Sequence, residues 1–495
     1  MSLPPSELIF PDTNILFHQI DLMEHDSIKN VIILQTVLQE LKHKSTSIYS
    51  RIRNMIEKKN IIVFCNEHHR ETYVRKNMLE SPNDRNDRAI RRAVEWYGAH
   101  LEHLGVKSIF LTDDNASREA AVNDGLSALS TRAYVESRVD APELSELITG
   151  LDDSSMDPKD AFSYKEHLSQ TQMSAGLKSG AFHQGSLQIS PINFLQGSVI
   201  LKINHEETTV HIIGREDLNR GVHGDIVAVQ LLPKSQWKSE VSEIQAQEED
   251  VIDKVDGDEE GVVNTQEDTV MDTTQNVIPT GVVVGIIKRN WRPYCGTIEA
   301  ASVKTMSTMT ALQSVFFWSM DKRIPKIRIR TRQASKLIGK RIIVAIDAWT
   351  KTSRYPSGHF VRILGDVGEK QTETEVLLLE HDVPFAPFAP SVLSCLPEEG
   401  EGWIVNDSHL DNRVDFRGLD ICSIDPPGCT DIDDALHARL MENGNYEVGV
   451  HIADVSHFVK PENAMDLEAQ RRGTTVYLVD KRIDMLPSLL GTSMK

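Results

Sequence analysis

The stretch SELIFPDTNILF at residues 6–17 sets the pattern for the first part of the chain, because an apolar run ends directly before an aspartate. Further apolar, strand-like runs follow, and segments with helical spacing lie between them. In the longest such segment, DRAIRRAVEWYGAHLEHLG, apolar residues recur every three or four positions and share one face. Strands that alternate with helices are typical of a parallel α/β sheet. We therefore predict strands at LIF (8–10), VIIL (31–34), IIVF (61–64) and SIFL (108–111).

Acidic residues follow these strands or lie in the helices after them. Ligands of open α/β sheets bind beyond the carboxyl ends of the strands, so we expect these side chains to converge. Four carboxylates in one crevice repel each other unless they share divalent cations. Two Mg²⁺ or Mn²⁺ ions held there would activate water and neutralise charge during attack on a phosphodiester. The four candidate metal-binding and catalytic acids are Asp12, Glu40, Asp87 and Asp114.

Each of these aspartates has an alternative interpretation as a helix N-cap or a turn residue, a role that aspartate often fills. We interpret Asp84 and Asp113 as flanking polar residues. A phosphatase with an aspartyl nucleophile would need a second aspartate two residues after Asp12, and Asn14 stands there. The segments PDTN, QTVLQEL, NDRNDRA and LTDD resemble the PIN nuclease domain. That resemblance implies that the four acids are the acidic quartet of this family, and it places a PIN-like endonuclease domain at residues 1–150.

Residues 160–236 change to short strands and turns, with the runs GSVILKI, TTVHIIG and DIVAVQLL. This pattern predicts a small β-barrel. The segments KSGAFHQG (178–185) and GREDLNRGVHGDIVAVQ (214–230) resemble the cold-shock, OB-type modules of the ribonuclease R and II family. The glycines and Asp225 have a purely structural alternative, because a barrel turn uses the same residues.

The net charge of −20 is unevenly distributed, because residues 239–280 contain thirteen acids and one lysine. We interpret 237–280 as a solvated acidic loop. No apolar run approaches the ~20 residues of a membrane span, so no membrane partner is expected. The five cysteines form no C-x-x-C pair, which argues against a disulfide framework and a cysteine zinc site.

A second OB-like, cold-shock-type module is predicted at 281–370, and a connector at 371–409. Residues 322–354 hold eleven Lys or Arg against one acid, at strand-like spacing. Such a basic stripe, next to aromatic rings, suits single-stranded RNA. The alternative is that the tryptophan belongs to the barrel core. The candidate RNA-binding residues are Lys288, Arg289, Trp291, Arg292, Tyr294, Arg328, Arg330 and Arg332.

The segment RVDFRGLDICSIDPPGCTDIDDALHARL (413–440) crowds four aspartates into ten residues, and an extended D-I-D step directs two of them to one face. A shared cation is the economical explanation. The segment resembles the opening of the RNB exoribonuclease domain, with its D-x5-D-x-DD signature. The resemblance implies metal binding by all four and a catalytic role for Asp433. The four residues are Asp425, Asp431, Asp433 and Asp434.

The domain order resembles the catalytic exoribonuclease and endonuclease subunits of the eukaryotic RNA exosome, in the ribonuclease II and R family. The predicted fold is multidomain α/β plus β: a PIN-type parallel sheet, two OB-type cold-shock barrels and the start of an RNB domain at 410–495. The resemblance implies a metal-dependent endonuclease and a hydrolytic 3′→5′ exoribonuclease acting on single-stranded RNA. It also implies exosome ring subunits as partners, Mg²⁺ or Mn²⁺ as cofactor, and a nuclear, nucleolar and cytoplasmic location.

Two departures from the family pattern modify this expectation. About 85 residues of the RNB domain are present, so we expect its exonuclease activity to be impaired, and the segment before Asp12 is short, so docking to the exosome is uncertain. The rival hypothesis is a non-catalytic RNA-binding or assembly subunit.

Overall fold

The strands between residues 7 and 129 form a five-stranded parallel sheet with helices around it, in the computed structural model of the chain. Strands β1 and β4 pair in register, β5 extends the sheet beyond β4, and β2 pairs with β3. A parallel bridge between Ile9 and Val31 joins the two halves. The spatial strand order is therefore β3-β2-β1-β4-β5. The strands are β1 (Glu7–Pro11), β2 (Ile32–Leu34), β3 (Ile62–Phe64), β4 (Lys107–Leu111) and β5 (Ser127–Leu129).

Apolar residues on the strands and on the inner faces of the helices build one core for this domain, with Phe10, Phe110 and Ile15 fully enclosed. The predicted helical segments are present. The helices are α1 (Thr13–His18), α2 (Ile20–Met23), α3 (Gln35–Lys44), α4 (Thr46–Lys59), α5 (Pro82–Leu101), α6 (Asn115–Asn123) and α7 (Thr131–Ser137), followed by a 3₁₀ helix at Pro142–Glu146.

A helix, α8 (Gln170–Ser179), leads into a five-stranded β domain with strand order β10-β9-β6-β7-β8. A bridge between His211 and Thr280 joins its outer strands. We predicted that the second module begins at 281, and this boundary is wrong, because β10 pairs with β9 in the first module. The strands are β6 (His183–Ile189), β7 (Gln196–Ile203), β8 (Glu206–Ile213), β9 (Ile226–Leu231) and β10 (Gly281–Lys288), with α9 (Arg215–Leu218) between β8 and β9.

The second β domain is a closed barrel with strand order β11-β12-β13-β15-β14. Its core contains Phe317, Ile327 and Ile342. The strands are β11 (Tyr294–Ile298), β12 (Gln313–Ser319), β13 (Ile327–Thr331), β14 (Lys340–Ala348) and β15 (Ser357–Asp366); α10 (Ala334–Leu337) lies before β14, and α11 (Lys370–Glu380) follows β15.

Two buried polar contacts join the α/β domain to this barrel. His359 on β15 contacts Asp21 of α2 through Nε2 at 3.2 Å and Asp347 through Nδ1 at 2.7 Å. Glu146 accepts hydrogen bonds from the Thr331 hydroxyl at 3.0 Å and from the Arg332 backbone N–H at 3.1 Å.

Residues 377–495 form a separate compact unit. Its hairpin pairs β16 (Asp434–Leu440) with β17 (Tyr446–Ile452). A small core gathers Val392, Met465 and Leu490. The other elements are α12 (Pro390–Leu393), α13 (Ala464–Arg472), β18 (Val476–Tyr477) and β19 (Arg482–Ile483).

The structure describes residues 6–59, 61–78, 80–138, 140–149, 162–203, 206–237, 278–303, 312–404, 413–427, 429 and 432–493. The predicted acidic loop lies almost wholly outside them. Across these ranges, no helix has the length and apolar character needed to cross a membrane. The predicted fold class, an α/β sheet domain followed by two β-barrels, is confirmed for these domains.

Candidate active site

Two of the four predicted acids, Asp12 and Asp114, lie at the same edge of the α/β sheet because each follows the end of a strand. Strands β1 and β4 are parallel and in register, with Pro11 opposite Leu111. Asp12 directly follows the first strand, and its backbone N–H donates to the Leu111 carbonyl at 3.1 Å. Asp114 lies three residues after the end of β4. Both carboxylates therefore stand beyond the carboxyl ends of neighbouring central strands, where an open α/β sheet binds its ligands.

Asp12 is also the N-cap of α1. Its Oδ1 accepts a hydrogen bond from the Ile15 backbone N–H at 2.7 Å, and the residue is 6% exposed. Burial raises the pKa of this carboxyl, although hydrogen bonds from the Thr112 side chain and Ile15 oppose the shift. Asp12 thus has the N-cap role that the sequence offered as an alternative. The same hydrogen bond orients its carboxylate.

Glu40 reaches the same edge from α3, the helix that follows β2. Its two carboxylate oxygens accept hydrogen bonds from the Thr13 hydroxyl and the Asn86 amide, one on each oxygen. Each oxygen keeps a second lone-pair direction for another partner. The carboxylate is therefore held between α1 and α5 without being saturated.

Asp87 lies on α5 among the other three acids. Burial raises the pKa of Asp87 to about 6, and the negative charges of Glu40, Asp12 and Asp114 add to this shift while the Arg91 guanidinium opposes it. Each of these three carboxylates therefore lies within electrostatic range of Asp87. The structure thus brings all four predicted acids together.

Asp114 of the quartet and the two flanking aspartates, Asp113 and Asp84, also make local structural contacts. Asp114 caps α6 and accepts from the backbone N–H groups of Ala116 and Ser117 at 2.8 and 3.2 Å. The Asp113 carboxylate accepts hydrogen bonds from the backbone N–H and from the hydroxyl of Thr131, each at 2.8 Å. Asp84 accepts from the Ser81 hydroxyl at 2.8 Å in the first turn of α5. Asp113 and Asp84 thus make the flanking polar contacts that we predicted for them.

The four carboxylates suit a hard divalent cation, because Mg²⁺ and Mn²⁺ prefer oxygen ligands. Over the ranges that the structure describes, no three His, Cys, Asp or Glu side chains stand close enough to surround a metal ion. The quartet is therefore an electrostatic cluster rather than a closed cage. The raised pKa of Asp87 comes first from burial and second from the neighbouring negative charges, and a bound cation would oppose both effects.

The second acidic cluster is described in part. Oδ2 of Asp425 is buried and has no hydrogen-bond partner within the described ranges. Asp433 and Asp434 are exposed at the start of the β16 hairpin, where the Asp433 carbonyl accepts from the Ala453 N–H at 2.9 Å. Asp431 lies outside the described residues. An orphaned buried carboxylate oxygen fits a site that a cation completes, because buried polar atoms are normally paired.

The predicted RNA platform at 288–294 is not one exposed surface. Tyr294 is 1% exposed and belongs to the core of the second barrel, and Trp291 packs against that core. Arg289 donates to buried Asp225 at 2.8 Å, which supports the structural interpretation of that aspartate. Arg289, Trp291 and Tyr294 are therefore withdrawn from the set of RNA-binding residues. Lys288 is exposed and Arg292 is half-buried, 3.5 Å from Asp321.

The basic stripe on β13 is also divided. Arg328 is 8% exposed and approaches Ser353, so it is withdrawn as a phosphate contact. Arg330 is half-buried and Arg332 is exposed. The sequence pattern correctly placed isoleucines and arginines on alternate faces, but the arginine face is partly covered.

A better stacking surface lies on β12, and our sequence reasoning missed it. Trp318 is 36% exposed, and Lys326 stands 4.4 Å from its ring centroid and 5.8 Å from that of Phe316. The alternation in SVFFWS was the available signal, because Val315 and Phe317 are buried in the core while Phe316 and Trp318 are on the other face of the strand.

Family models match four successive parts of the chain. They are described as a PIN domain at residues 9–132, an Rrp44-like cold shock domain at 161–284, Dis3-like cold-shock domain 2 at 314–382 and an RNB domain at 413–494. The first cold-shock match includes the first half of β10, in agreement with the sheet topology.

Curated relatives are similar along nearly the whole chain. "Exosome complex exonuclease RRP44" of Homo sapiens is 49% identical over 99% of this chain and 51% of its own length. "Exosome complex exonuclease dis3" of Schizosaccharomyces pombe is 48% identical, over 98% and 51%. "Exosome complex exonuclease RRP44 homolog A" of Arabidopsis thaliana is 44% identical, over 99% and 54%. The chain spans about half the length of these relatives.

Proposed function

The chain belongs to the RRP44/Dis3 family of exosome exonucleases, and from that premise we propose that it is a ribonuclease that cuts single-stranded RNA internally at the acidic quartet. The observation that carries this proposal is the convergence of Asp12, Glu40, Asp87 and Asp114 beyond the sheet, with the raised pKa of Asp87. Divalent Mg²⁺ or Mn²⁺ bound there would supply charge neutralisation for the attack of water on a phosphodiester.

The protein contributes orientation and desolvation. The Ile15 N–H fixes the carboxylate of Asp12, and Thr13 and Asn86 fix that of Glu40, so little reorganisation is needed when a cation and a phosphate arrive. Burial of Asp12 strengthens every charge interaction at this edge.

We propose a second, hydrolytic 3′→5′ site at Asp425, Asp431, Asp433 and Asp434, in keeping with the RNB match. The unpartnered oxygen of Asp425 supports a cation there. We also propose that the chain joins exosome ring subunits and acts in the nucleus, nucleolus and cytoplasm. Co-purification of the full chain with ring subunits, and imaging of a tagged copy, test these two points.

One prediction concerns the stability of the quartet without metal. Because the folded pKa of Asp87 lies above its ordinary value of 3.8, the charged form is penalised in the fold, fully above about pH 6 and not below pH 3.8. Asp87→Asn should therefore stabilise the metal-free protein at pH 7.5 by roughly 1 kcal/mol, allowing for solvent screening, or about 2–4 °C in Tm.

The measurement is calorimetry in EDTA at pH 7.5 and at pH 4. The gain should shrink at the lower pH, and added Mn²⁺ should stabilise the unsubstituted protein more than the variant. A variant that melts below the unsubstituted protein in EDTA at pH 7.5 would show that Asp87 is not destabilised by its neighbours.

A further prediction concerns RNA binding by the second barrel. Trp318→Ala should weaken the affinity for single-stranded oligouridylate by about tenfold, because stacking on an aromatic ring contributes ~1–3 kcal/mol per base. Fluorescence anisotropy of the full chain in EDTA measures this. Ile363→Ala is the matched control, since Ile363 is an exposed apolar residue, 40% exposed, on the same barrel. Equal losses in both variants would remove Trp318 from the RNA surface.

The competing proposal, a non-catalytic RNA-binding subunit, predicts the same binding result but no cleavage of a circular RNA. Cleavage therefore separates the two functions, and binding does not.

A further inference from the structure

A basic cleft opens on the α/β domain beside the acidic quartet. It has a volume of about 540 Å³ and lies between α5 and the segment 73–77. Four arginines and two carboxylates line it, so its charge is net positive. The arginines are Arg75, Arg88, Arg91 and Arg92, and the carboxylates are those of Glu95 and Asp124.

Three of the cleft's four arginines are available to an anionic ligand, whereas Arg88 is paired with Glu80 at 2.6 Å, a side chain that is only 11% exposed. Arg91 pairs with Asp124 at 3.0 Å and Arg92 with Glu95 at 2.8 Å, but these carboxylate side chains are 56% and 52% exposed. Surface pairs of this kind contribute little, about 0–1 kcal/mol, so a phosphate can replace the carboxylate at small cost. The guanidinium of Arg75 makes no hydrogen bond or ion pair within the described part of the chain.

Tyr73 adds an aromatic wall to the cleft. The residue is 55% exposed, and its backbone N–H is anchored to the His69 carbonyl at 2.9 Å. The Arg85 guanidinium lies 5.8 Å from the ring centroid and is itself held by Glu67 at 2.5 Å. An exposed ring in a positively charged groove is the combination that binds single-stranded nucleic acid.

Helix α5 connects the cleft to the quartet. Asp87 and Arg91 are four residues apart and so lie on one face of the helix, while Arg88 and Arg92 form the adjoining row. One helical turn, about 5.4 Å, separates neighbouring members of a row. The cleft therefore adjoins the quartet along α5, where Arg91 lies one turn from Asp87 and its charge acts on that carboxyl.

We propose that this cleft binds the segment of single-stranded RNA next to the bond that is cut, with Tyr73 stacking on a base and Arg75 and Arg92 facing its phosphates. The assignment rests on the proposed endonuclease function, because the neighbouring quartet is what makes a phosphodiester the ligand. An acidic peptide would satisfy the arginines, but it gives no role to the exposed ring.

The test uses the full chain and two variants, Tyr73→Ala and Arg75→Ala, with Lys58→Ala as the charge control. Lys58 is an exposed cation on α4, outside the cleft. With circular RNA in Mn²⁺, we expect each cleft variant to raise KM about five- to tenfold with kcat nearly unchanged, and Arg75→Ala to lower the salt slope of binding by ~0.7. The control should match the unsubstituted protein.

Photo-cross-linking gives a readout that does not depend on activity. A circular RNA carrying 4-thiouridine, irradiated with the full chain in EDTA, should form adducts on the peptide that contains Tyr73. Unchanged KM in both variants together with no adduct there would overturn the cleft while leaving the endonuclease proposal intact. Adducts at Tyr73 in a protein that does not cleave would support the cleft and overturn the endonuclease. Equal competition by polyglutamate and oligouridylate would reduce the cleft to a general anion site and overturn the RNA assignment.

Discussion

A circular single-stranded RNA is expected to be cut by this protein in Mn²⁺ or Mg²⁺, and Asp12→Asn should slow that cleavage at least roughly 100-fold. Losing one carboxylate charge removes a metal ligand and about 3 kcal/mol of transition-state stabilisation. The fold should survive, because the asparagine side chain still offers an oxygen to the Ile15 N–H at the start of α1. Gel analysis of linearised product measures the rate.

Asp84→Asn is the matched control for this experiment. It makes the same chemical change on α5, but Asp84 is exposed and bonds to Ser81 in the first helical turn. Cleavage by Asp84→Asn should remain near that of the unsubstituted protein. Undiminished cleavage by a well-folded Asp12→Asn protein would contradict the assignment of the quartet.

The second large effect is expected at the contact between the α/β domain and the second barrel. His359 is buried between Asp21 and Asp347, and Asp21 also binds Arg51 at 2.6 Å. His359→Ala removes a cation from two largely shielded carboxylates, since the side chains of Asp21 and Asp347 are 9% and 12% exposed, and it leaves Asp21 with Arg51 alone. Removing one partner of a buried ion pair typically destabilises a protein by about 3–5 kcal/mol. Thermal unfolding and hydrogen exchange of α2 and β15 should both report this loss.

The same contact predicts a pH dependence. Burial disfavours the charged imidazole, but hydrogen bonds to Asp21 and Asp347 outweigh it and raise the pKa of His359 to about 9. A raised histidine pKa gives stability that is fully present below about pH 6.5 and is lost as pH rises through 9. Protection of α2 and β15 from exchange, after correction for the intrinsic rate, should therefore fall between pH 7 and 10.

His359→Gln keeps a polar side chain but cannot carry the charge, so its stability should vary less over that range. His103→Ala serves as the control, because His103 is an exposed histidine of the α/β domain, away from this contact. An unsubstituted protein whose interface is equally protected at pH 7 and pH 10 would argue against a charged His359.

The α/β domain was predictable because its signals are local. Apolar runs of three or four residues and the amphipathic period of α5 identify the elements, and aspartates at strand ends identify the site. Strand β5 was missed because SAL at 127–129 is short and carries no β-branched residue. It forms by pairing with the edge of β4, which is a tertiary effect.

Contacts that are distant in sequence were the main source of error. Strand β10 returns to the first barrel after a long acidic segment, and no local pattern says which sheet it joins. Tyr294 and Arg289 have the composition of an RNA platform, but one fills a core and the other pairs with buried Asp225. Composition does not show which face of a barrel strand is covered.

The basic cleft was not predicted from the sequence for a different reason. Arg88 and Arg92 are visible as a row on α5, but Tyr73 and Arg75 come from a segment without a strong periodicity. Tyr73 and Arg75 come close to the arginines of α5 only because that segment folds over the helix, and the sequence pattern does not show this fold. The sequence therefore predicted the acidic half of the site and not the basic half beside it.

Anomalous scattering from crystals of the full chain soaked in Mn²⁺ tests the central claim most directly, because it locates the metal independently of any activity. We expect a manganese peak about 2.2 Å from carboxylate oxygens of Asp12 and of at least one of Glu40, Asp87 and Asp114, and loss of that peak in Asp12→Asn crystals. A quartet without manganese, in crystals of a protein that cleaves circular RNA in the same Mn²⁺ buffer, would contradict that claim.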